Sequence, residues 1–210
     1  MKTVKIPERM RSLSRDDKGR PVPYFVTWVD GKPDFRVVNA VKMLECYQLK
    51  LCFICGLKLG TYQCFVIGPM SAVQRVSAEP PSHYECAHYA VQVCPFLAMP
   101  NKGYRDADLP DGTSTDSRIP THNPGVTAIW VTKSYDPFVQ ADGLLFRLGY
   151  PERVEWYREG RPASRSEVVG AFEYGAGRFY QIAEEEHPEA AQRFEADFEK
   201  AKHYWPKESA

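Results

Sequence analysis

The front third of the chain has the alternation of apolar and polar residues that is typical of a β-hairpin. In the segment YFVTWVDGKPDFRVV, residues 24–29 and 35–38 have the pattern of two strands. Asp30 and Gly31 supply the turn between them, because glycine accepts the positive φ angle that such loops require. The next segment, NAVKMLECYQLK, predicts a short helix that leads into a cysteine-rich region.

Short apolar runs in the second half of the chain predict further strands. The runs are VTAIWVT, GLLFRLG and VEWYREG. Leu144, Phe146 and Leu148 alternate onto one face of their strand. We expect Val154 and Trp156, on a neighbouring strand, to cover that face.

The last third of the chain has a helical pattern. Ser164 followed by Glu167 is a capping box, so a helix should begin near Arg165. Its expected buried residues are Val168, Val169, Phe172, Phe179 and Ile182. A second helix should begin at Pro188, where the missing N–H costs nothing. Its apolar residues recur at spacings of three and four: Ala191, Phe194, Phe198, Ala201 and Trp205.

Two pairs of residues have the spacing of zinc ligands. Cys52 and Cys55 form a CxxC pair followed at once by Gly56, the pattern of a zinc knuckle. The second pair is His83 and Cys86, three residues apart. A capping box made by Ser82 and Glu85 predicts that a helix begins at His83 and continues to about residue 93, which places this pair on one helical face.

These two pairs predict one zinc ion bound by Cys52, Cys55, His83 and Cys86. Three thiolates and one imidazole leave zinc no open position, so the ion is expected to be structural and to contribute folding free energy rather than Lewis acidity. The alternative of separately buried residues is less favoured, because two ligand pairs in fitting local contexts seldom occur together.

The segment between the ligand pairs predicts a hairpin, with a strand in TYQCFVIGPM and a return in SAVQRVSAE. A knuckle, a hairpin and two ligands at a helix start is the order in treble-clef zinc fingers, which residues 50–95 therefore resemble. That resemblance implies a metal site but no single function, since the architecture serves nucleic-acid binders, protein-interaction modules and nucleases. Nuclease versions place extra catalytic histidines on the hairpin and the helix. This hairpin has none, which argues against a nuclease.

Three further phrases, FVIGPM, RVSAEPPSH and CPFL, are similar to those of an uncharacterised group of bacterial and phage proteins. This similarity extends over most of the chain and implies no activity. The combined prediction for the fold class is α+β, with an antiparallel sheet, an integrated treble-clef-like zinc module and two C-terminal helices. We expect a basic polar arm over residues 1–21 and a single domain over 22–210. The zinc module occupies about residues 50–97 and is followed by a long loop over 98–125.

The composition narrows the class of protein. Hydrophobic residues make up 43% and charged residues 26% of the 210 positions, which is typical of a globular protein and not of a disordered or fibrous one. No apolar run approaches the roughly 20 residues of a membrane helix, and the start lacks a signal-peptide pattern. We therefore expect a cytoplasmic protein without membrane contact, whose six cysteines are thiols or metal ligands rather than disulfides.

The remaining candidate residues leave alternatives open. Cys64 is expected in the core, whereas Cys94 or His88 could replace one of the four ligands and still give a closed site. Cys46 has no assigned role. If one ligand were absent, a catalytic zinc with bound water would become possible.

Charge and aromatic residues suggest a partner. Residues 1–42 carry ten Lys/Arg against five Asp/Glu, and residues 150–210 carry nine against thirteen. The leading hypothesis is a zinc-stabilised binding protein for a nucleic acid or a protein complex, which would use the basic arm and aromatic residues on strands. Trp28, Trp130 and Trp156 are among the residues that could stack on bases if exposed, although core packing is favoured for them. The alternative is an enzyme, with structural zinc and a pocket near the 98–125 loop that contains His122 and Asn123. The pattern does not fix an oligomeric state.

Overall fold

The computed structural model describes residues 4–98, 125–140, 143–186 and 188–208. Within these ranges the protein is a mixed α/β structure with antiparallel sheets and six α-helices. Among these residues there is no helix with the length and apolar character needed to cross a membrane.

The elements have the following bounds. The strands are β1 (Val26–Val29), β2 (Lys32–Val38), β3 (Gln63–Ile67), β4 (Val76–Ser77), β5 (Thr127–Thr132), β6 (Tyr135–Gln140), β7 (Gly143–Leu148), β8 (Pro151–Arg158) and β9 (Arg161–Pro162). The helices are α1 (Ala40–Leu49), α2 (Pro69–Gln74), α3 (Tyr84–Val93), α4 (Pro95–Ala98), α5 (Arg165–Glu186) and α6 (Pro188–Ala201). Short 3₁₀ turns occur at Glu8–Met10 and Lys202–Tyr204.

The predicted first hairpin and the helix after it are confirmed. β1 pairs with β2 in an antiparallel register. Asp30 and Gly31 join the strands with φ angles of 48° and 73°, as a two-residue turn with positive φ requires. α1 then begins after Asn39, whose side chain accepts a hydrogen bond of 3.1 Å from the Lys42 N–H.

The strands form three antiparallel sheets in the described part of the chain, and the prediction of one sheet is wrong. The orders are β1-β2, β3-β5-β8-β9 and β4-β7-β6. β7 pairs with β6, a strand that the sequence analysis missed, and with β4 rather than with β8. β6 escaped detection because it contains Pro137 and exposes much of its length.

The expected burial along β7 and β8 is nevertheless largely right. Phe146 and Leu148 of β7 and Trp156 of β8 are all buried in the same core. They meet because the two sheets pack against each other, not because their strands are neighbours. Periodicity therefore predicted the inward face of each strand correctly but not the strand to which it is bonded.

β5 is the central strand, and all six of its residues are buried. On one face Ala128 and Trp130 belong to the larger core, which also contains residues of α2, α5, α6 and the β4-β7-β6 sheet. On the other face Ile129 and Val131 pack with α3. A strand covered on both faces has this continuous apolar character instead of an alternating one.

The two C-terminal helices begin where they were predicted. The Ser164 N–H donates to Glu167 Oε2 at 2.8 Å and the Glu167 N–H donates to Ser164 Oγ at 3.3 Å, which is a reciprocal capping box. Val168 and Phe172 are fully buried, and Phe194 of α6 is buried. Val169 and Phe179 are only partly buried.

The predicted hairpin between the two ligand pairs is wrong. Residues 69–74 form α2, because Gly68 enters in an extended conformation and Pro69 occupies the first helical turn, where proline is favoured. The return strand is reduced to β4, which bonds to β7 and not to β3. β3 instead pairs with β5, far along the chain.

A tight approach at Gly149 gives a stability prediction. A Cβ atom at Gly149 would lie 2.5 Å from the Ser134 carbonyl oxygen, whose position is fixed by the Gly149 N–H. Gly149→Ala should therefore lower the free energy of unfolding by about 1–3 kcal/mol. Gly170→Ala is the matched control, because this exposed helical glycine has open space around it and should raise that free energy by about 0.5–1 kcal/mol. Urea denaturation measures both, and an unchanged midpoint for Gly149→Ala would contradict the prediction.

Candidate metal centre

Cys52, Cys55, His83 and Cys86 converge into a single buried cluster, which we call the metal centre. One potential ligand atom from each residue lies within 4.8 Å of those of the other three. All four residues are buried, and the cysteines are free thiols rather than disulfides. A set of three sulfur atoms and one imidazole nitrogen at this separation can coordinate a metal ion.

The first two ligands lie on a tight turn. The Cys52 N–H donates to the Leu57 carbonyl at 2.7 Å, and the Gly56 N–H donates to the Cys52 carbonyl at 2.8 Å. The Cys55 N–H points to Cys52 Sγ at 3.4 Å, a contact that favours a thiolate. These bonds close the turn so that both sulfur atoms face the same point.

Gly56 is required in this turn for two reasons. Its φ angle is +73°, which most L residues avoid. A Cβ atom there would also lie 2.8 Å from the ring of Tyr24, which packs directly over the turn. The glycine predicted from the knuckle pattern therefore allows both the chain reversal and the close approach of Tyr24.

The second ligand pair lies at the start of α3, but the predicted capping box is wrong. His83 is the residue that precedes the helix, and no side chain caps its first turn. Ser82 has an extended backbone that exchanges two hydrogen bonds with Cys64, of 2.9 and 2.8 Å. Because this bridge holds Ser82 away from the helix, α3 begins one residue later than predicted, at Tyr84.

The orientation of the His83 ring is set by hydrogen bonds. Its Nε2 atom lies 2.9 Å from the Lys58 carbonyl oxygen, which can only accept, so Nε2 carries a proton. Its Nδ1 atom faces the metal centre, 3.4 Å from Cys55 Sγ. Nδ1 is therefore the atom available to a metal ion, and a hydrogen bond like that to the Lys58 carbonyl is typical of metal-binding histidines.

Electrostatics couples the four groups strongly. Burial acts to raise the pKa of Cys52, but hydrogen bonds from its neighbours in the metal centre prevail and lower it. Hydrogen bonds to Cys52 and Cys55 raise the pKa of His83 to about 10. Contacts with the same two sulfur atoms, together with burial, raise the pKa of Cys86. Without a cation the metal centre thus favours a Cys52 thiolate beside a protonated His83, with the proton retained on Cys86.

The N-terminal segment covers the metal centre, a feature that the sequence analysis missed. Met10 is buried in one apolar cluster with Cys52, Cys55 and Cys86. Outside this cluster, Arg9 Nε lies 2.6 Å from Glu85 Oε1 on the first turn of α3. The apolar residues of the segment were the available sequence signal, with Val4, Ile6 and Leu13 also packed against the cluster.

The other candidate cysteines and His88 lie outside the metal centre. Cys46 and Cys64 are buried, and burial is the main cause that raises the pKa of each thiol to about 12. Cys94 ends α3 and is partly exposed. His88 stacks on Tyr84 with ring centroids 5.6 Å apart. None of these residues belongs to the cluster of four found among the described residues.

Two further predicted features have different outcomes. Trp130 and Trp156, which were candidates for stacking on bases, are buried in the core and cannot contact a ligand from solvent. His122 and Asn123, the candidate residues of an enzyme pocket, lie outside the described residues, as does most of the predicted 98–125 loop.

Comparisons with known proteins were made at three levels, and no family model, curated protein or solved structure matched the chain.

The protonation of the metal centre gives a prediction about pH. A metal ion that binds His83 Nδ1 and Cys86 Sγ must displace the proton that each raised pKa retains near pH 7. Lowering the pH should therefore weaken the metal affinity, by about tenfold per pH unit for each displaced proton. Competition titrations with a chromophoric chelator at several pH values measure this slope.

Cys46→Ala supplies the matched control for the pH slope. Cys46 is a buried thiol beside the metal centre, with its Sγ 3.9 Å from the Cys52 carbonyl, but it is not a ligand. The variant should retain the wild-type dependence of affinity on pH. A metal affinity that does not change with pH in the wild type would contradict the assignment of these ligand atoms.

Proposed function

We propose that the metal centre holds one structural zinc ion. Zinc suits a tetrahedral set of three thiolates and one imidazole, whereas calcium and magnesium prefer oxygen ligands. The single observation that supports the proposal is the convergence of Cys52, Cys55, His83 and Cys86 in a buried cluster. The fourfold set leaves no position for water, so zinc would stabilise the fold and not carry out catalysis.

The proposed zinc module is a variant of the treble clef over about residues 50–97. It keeps the knuckle and the two ligands at the start of a helix. The hairpin between them is replaced by β3 and by the isolated bridge between Cys64 and Ser82, with α2 and β4 inserted. This bridge performs the geometric role of the hairpin, since it brings the residue before His83 back to the strand that follows the knuckle.

Zinc can be tested directly on protein purified without a metal-affinity tag. Elemental analysis should find one zinc ion per chain, and Cys86→Ala should lose it. The loss should remove most of the stability, because structural zinc contributes roughly 10–16 kcal/mol in zinc-finger peptides and whole domains have only about 5–15 kcal/mol. Cys46→Ala, which removes a buried thiol that is not a ligand, should retain zinc. Metal-free wild-type protein with an unchanged Tm would contradict the proposal.

We further propose that the partner is a single-stranded nucleic acid, bound by the β1-β2 hairpin and the segment before it. Trp28 and Phe35 leave 42% and 45% of their surface exposed on this hairpin. The Arg20 guanidinium lies 5.6 Å from the centre of the Phe35 ring. Exposed aromatic rings beside cations are typical of surfaces that stack bases and attract phosphates.

The charge distribution supports the same surface. Residues 1–42, which include the hairpin, carry an excess of five basic residues. Since Trp130 and Trp156 are buried, this proposal depends on the exposed aromatic residues of the hairpin, Trp28 and Phe35. The proposed zinc module contacts the segment that leads into the hairpin. The Tyr24 N–H donates to the Ile54 carbonyl of the knuckle at 2.8 Å. The Phe25 ring stacks on the Phe53 ring, with centroids 4.2 Å apart.

Binding of a labelled oligothymidylate tests this surface. The affinity should fall steeply as salt concentration rises, and Trp28→Ala should weaken it by about tenfold, since a stacked base contributes roughly 1–3 kcal/mol. Tyr174→Ala is the matched control, because Tyr174 is 75% exposed on α5, away from the hairpin. An affinity unchanged by Trp28→Ala would overturn the nucleic-acid proposal and leave a protein partner for the hairpin.

A further inference from the structure

A cavity lies away from the metal centre, on the side of the larger core. Its volume is about 460 Å³, which is within the range of small-ligand sites. It is formed by the end of α2, the turn between β7 and β8, the last turns of α6 and the 3₁₀ turn after α6. None of these elements belongs to the β1-β2 hairpin or supplies a metal ligand.

Arg75 supplies the first cation of this cavity. No carboxylate of the described residues is within ion-pair distance of its guanidinium. The guanidinium lies instead 4.3 Å from the centre of the Tyr150 ring. Its planar donors therefore have hydrogen-bonding capacity to offer an anion, and an arginine supported by an aromatic ring is well suited to bind phosphate.

Lys200 and His203 line the same cavity. Lys200 Nζ is 2.9 Å from Asp197 Oδ1, so its charge is partly balanced by a carboxylate that also lines the cavity. His203 Nδ1 lies 3.1 Å from the Lys200 carbonyl oxygen, which can only accept, so this contact uses the Nδ1 proton and leaves Nε2 for another partner. An anion would thus meet Arg75 first and compete with Asp197 for Lys200.

Two aromatic residues, Tyr150 and Tyr204, complete the lining. Tyr150 is 77% exposed although Arg75 covers part of its ring, which leaves ring surface to contact a ligand. Tyr204 is held rigidly, because its ring packs edge-on against Trp130 and its carbonyl accepts the Trp156 Nε1 proton at 2.8 Å. The cavity therefore combines cationic donors with an accessible aromatic face.

We propose that this cavity binds a nucleotide unit, with the phosphate at Arg75 and Lys200 and the base against Tyr150. The chemistry is the same for a free nucleotide and for one nucleotide of a strand. The site is separate from the hairpin, so the proposal does not depend on nucleic-acid binding there. A base is favoured over a purely apolar ligand because the lining has charges of both signs and little closed apolar surface.

Calorimetric titration of the zinc-loaded full chain with adenosine 5′-monophosphate tests the site. Arg75→Asn should weaken binding by about tenfold or more, since a charge-assisted phosphate contact is lost. This substitution should not disturb the fold, because Arg75 has a φ angle of 51° and asparagine tolerates that conformation well. Lys50→Asn is the matched control: Lys50 ends α1 with a φ angle of 52° and does not line the cavity.

Two further variants test the orientation of the ligand. Tyr150→Ala should weaken binding of adenosine 5′-monophosphate more than binding of inorganic phosphate, because it removes the contact with the base as well as the ring that supports Arg75. The exposed Tyr174→Ala is its control. Asp197→Asn should tighten binding of both, because it removes the carboxylate that competes for Lys200. A gain of affinity on substitution is not expected from a merely structural role.

The source of the nucleotide is separated by a second probe, a short oligoadenylate strand. If the monophosphate binds and Arg75→Asn weakens this binding, the ligand is a free nucleotide. If only the strand binds, and Arg75→Asn weakens that binding, the ligand is a nucleic acid. Trp28→Ala should leave binding of the monophosphate unchanged, so failure at the hairpin is distinguishable from failure here. The proposal is overturned if neither probe binds, if Arg75→Asn affects neither probe, or if inorganic phosphate binds as tightly as the monophosphate.

Discussion

The convergence of three thiols and one imidazole in a space excluded from water is the constraint on which the rest of the structure depends. Their ligand atoms lie within 4.8 Å of one another. Three thiolates so close together in a medium of low dielectric constant would repel one another strongly. Contacts with Cys52 and Cys55, together with burial, therefore raise the pKa of Cys86. A bound cation would reverse the sign of this interaction and would join the knuckle to the start of α3. Met10 of the N-terminal segment packs in the same apolar cluster as Cys52, Cys55 and Cys86.

α3 transmits this constraint to the sheet. His83 and Cys86 lie at its start, while Ala87 and Val91 on its next turns pack against Ile129 and Val131 of β5. Tyr84 follows His83 in the chain, and its hydroxyl donates to Glu155 Oε2 of β8 at 2.9 Å. α3 therefore has candidate metal ligands at its start, a polar contact to β8 and an apolar face against the central strand β5. The position of α3 on β5 and the closure of the metal centre are consequently parts of a single packing arrangement.

Local features of the sequence predicted local features of the structure. The Asp30-Gly31 turn, the Ser164/Glu167 capping box and the CxxC spacing each depend on a few neighbouring residues, and each was predicted correctly. Strand pairing was not, because it joins residues far apart in the chain: β3 (Gln63–Ile67) bonds to β5 (Thr127–Thr132), and β7 bonds to β4. The capping box at Ser82 failed for the same reason, since its backbone is engaged by the distant Cys64. The cavity at Arg75 could not be predicted from the chain, because α2, α6 and Tyr150 meet only in the folded protein.

The replacement of a simple hairpin by α2 links the two sites. In a simple hairpin, a second strand would pair along the free edge of β3. Here α2 follows β3 and packs on the larger core, and the chain returns to β3 only through the bridge between Cys64 and Ser82. α2 packs there through Ala72 and Val73, close to α5, where Gly175 leaves room for Met70. The left-handed end of this helix then turns Arg75 toward Tyr150. The segment between the two pairs of candidate ligands therefore also supplies Arg75, which has no ion pair among the described residues, to the cavity beside Tyr150.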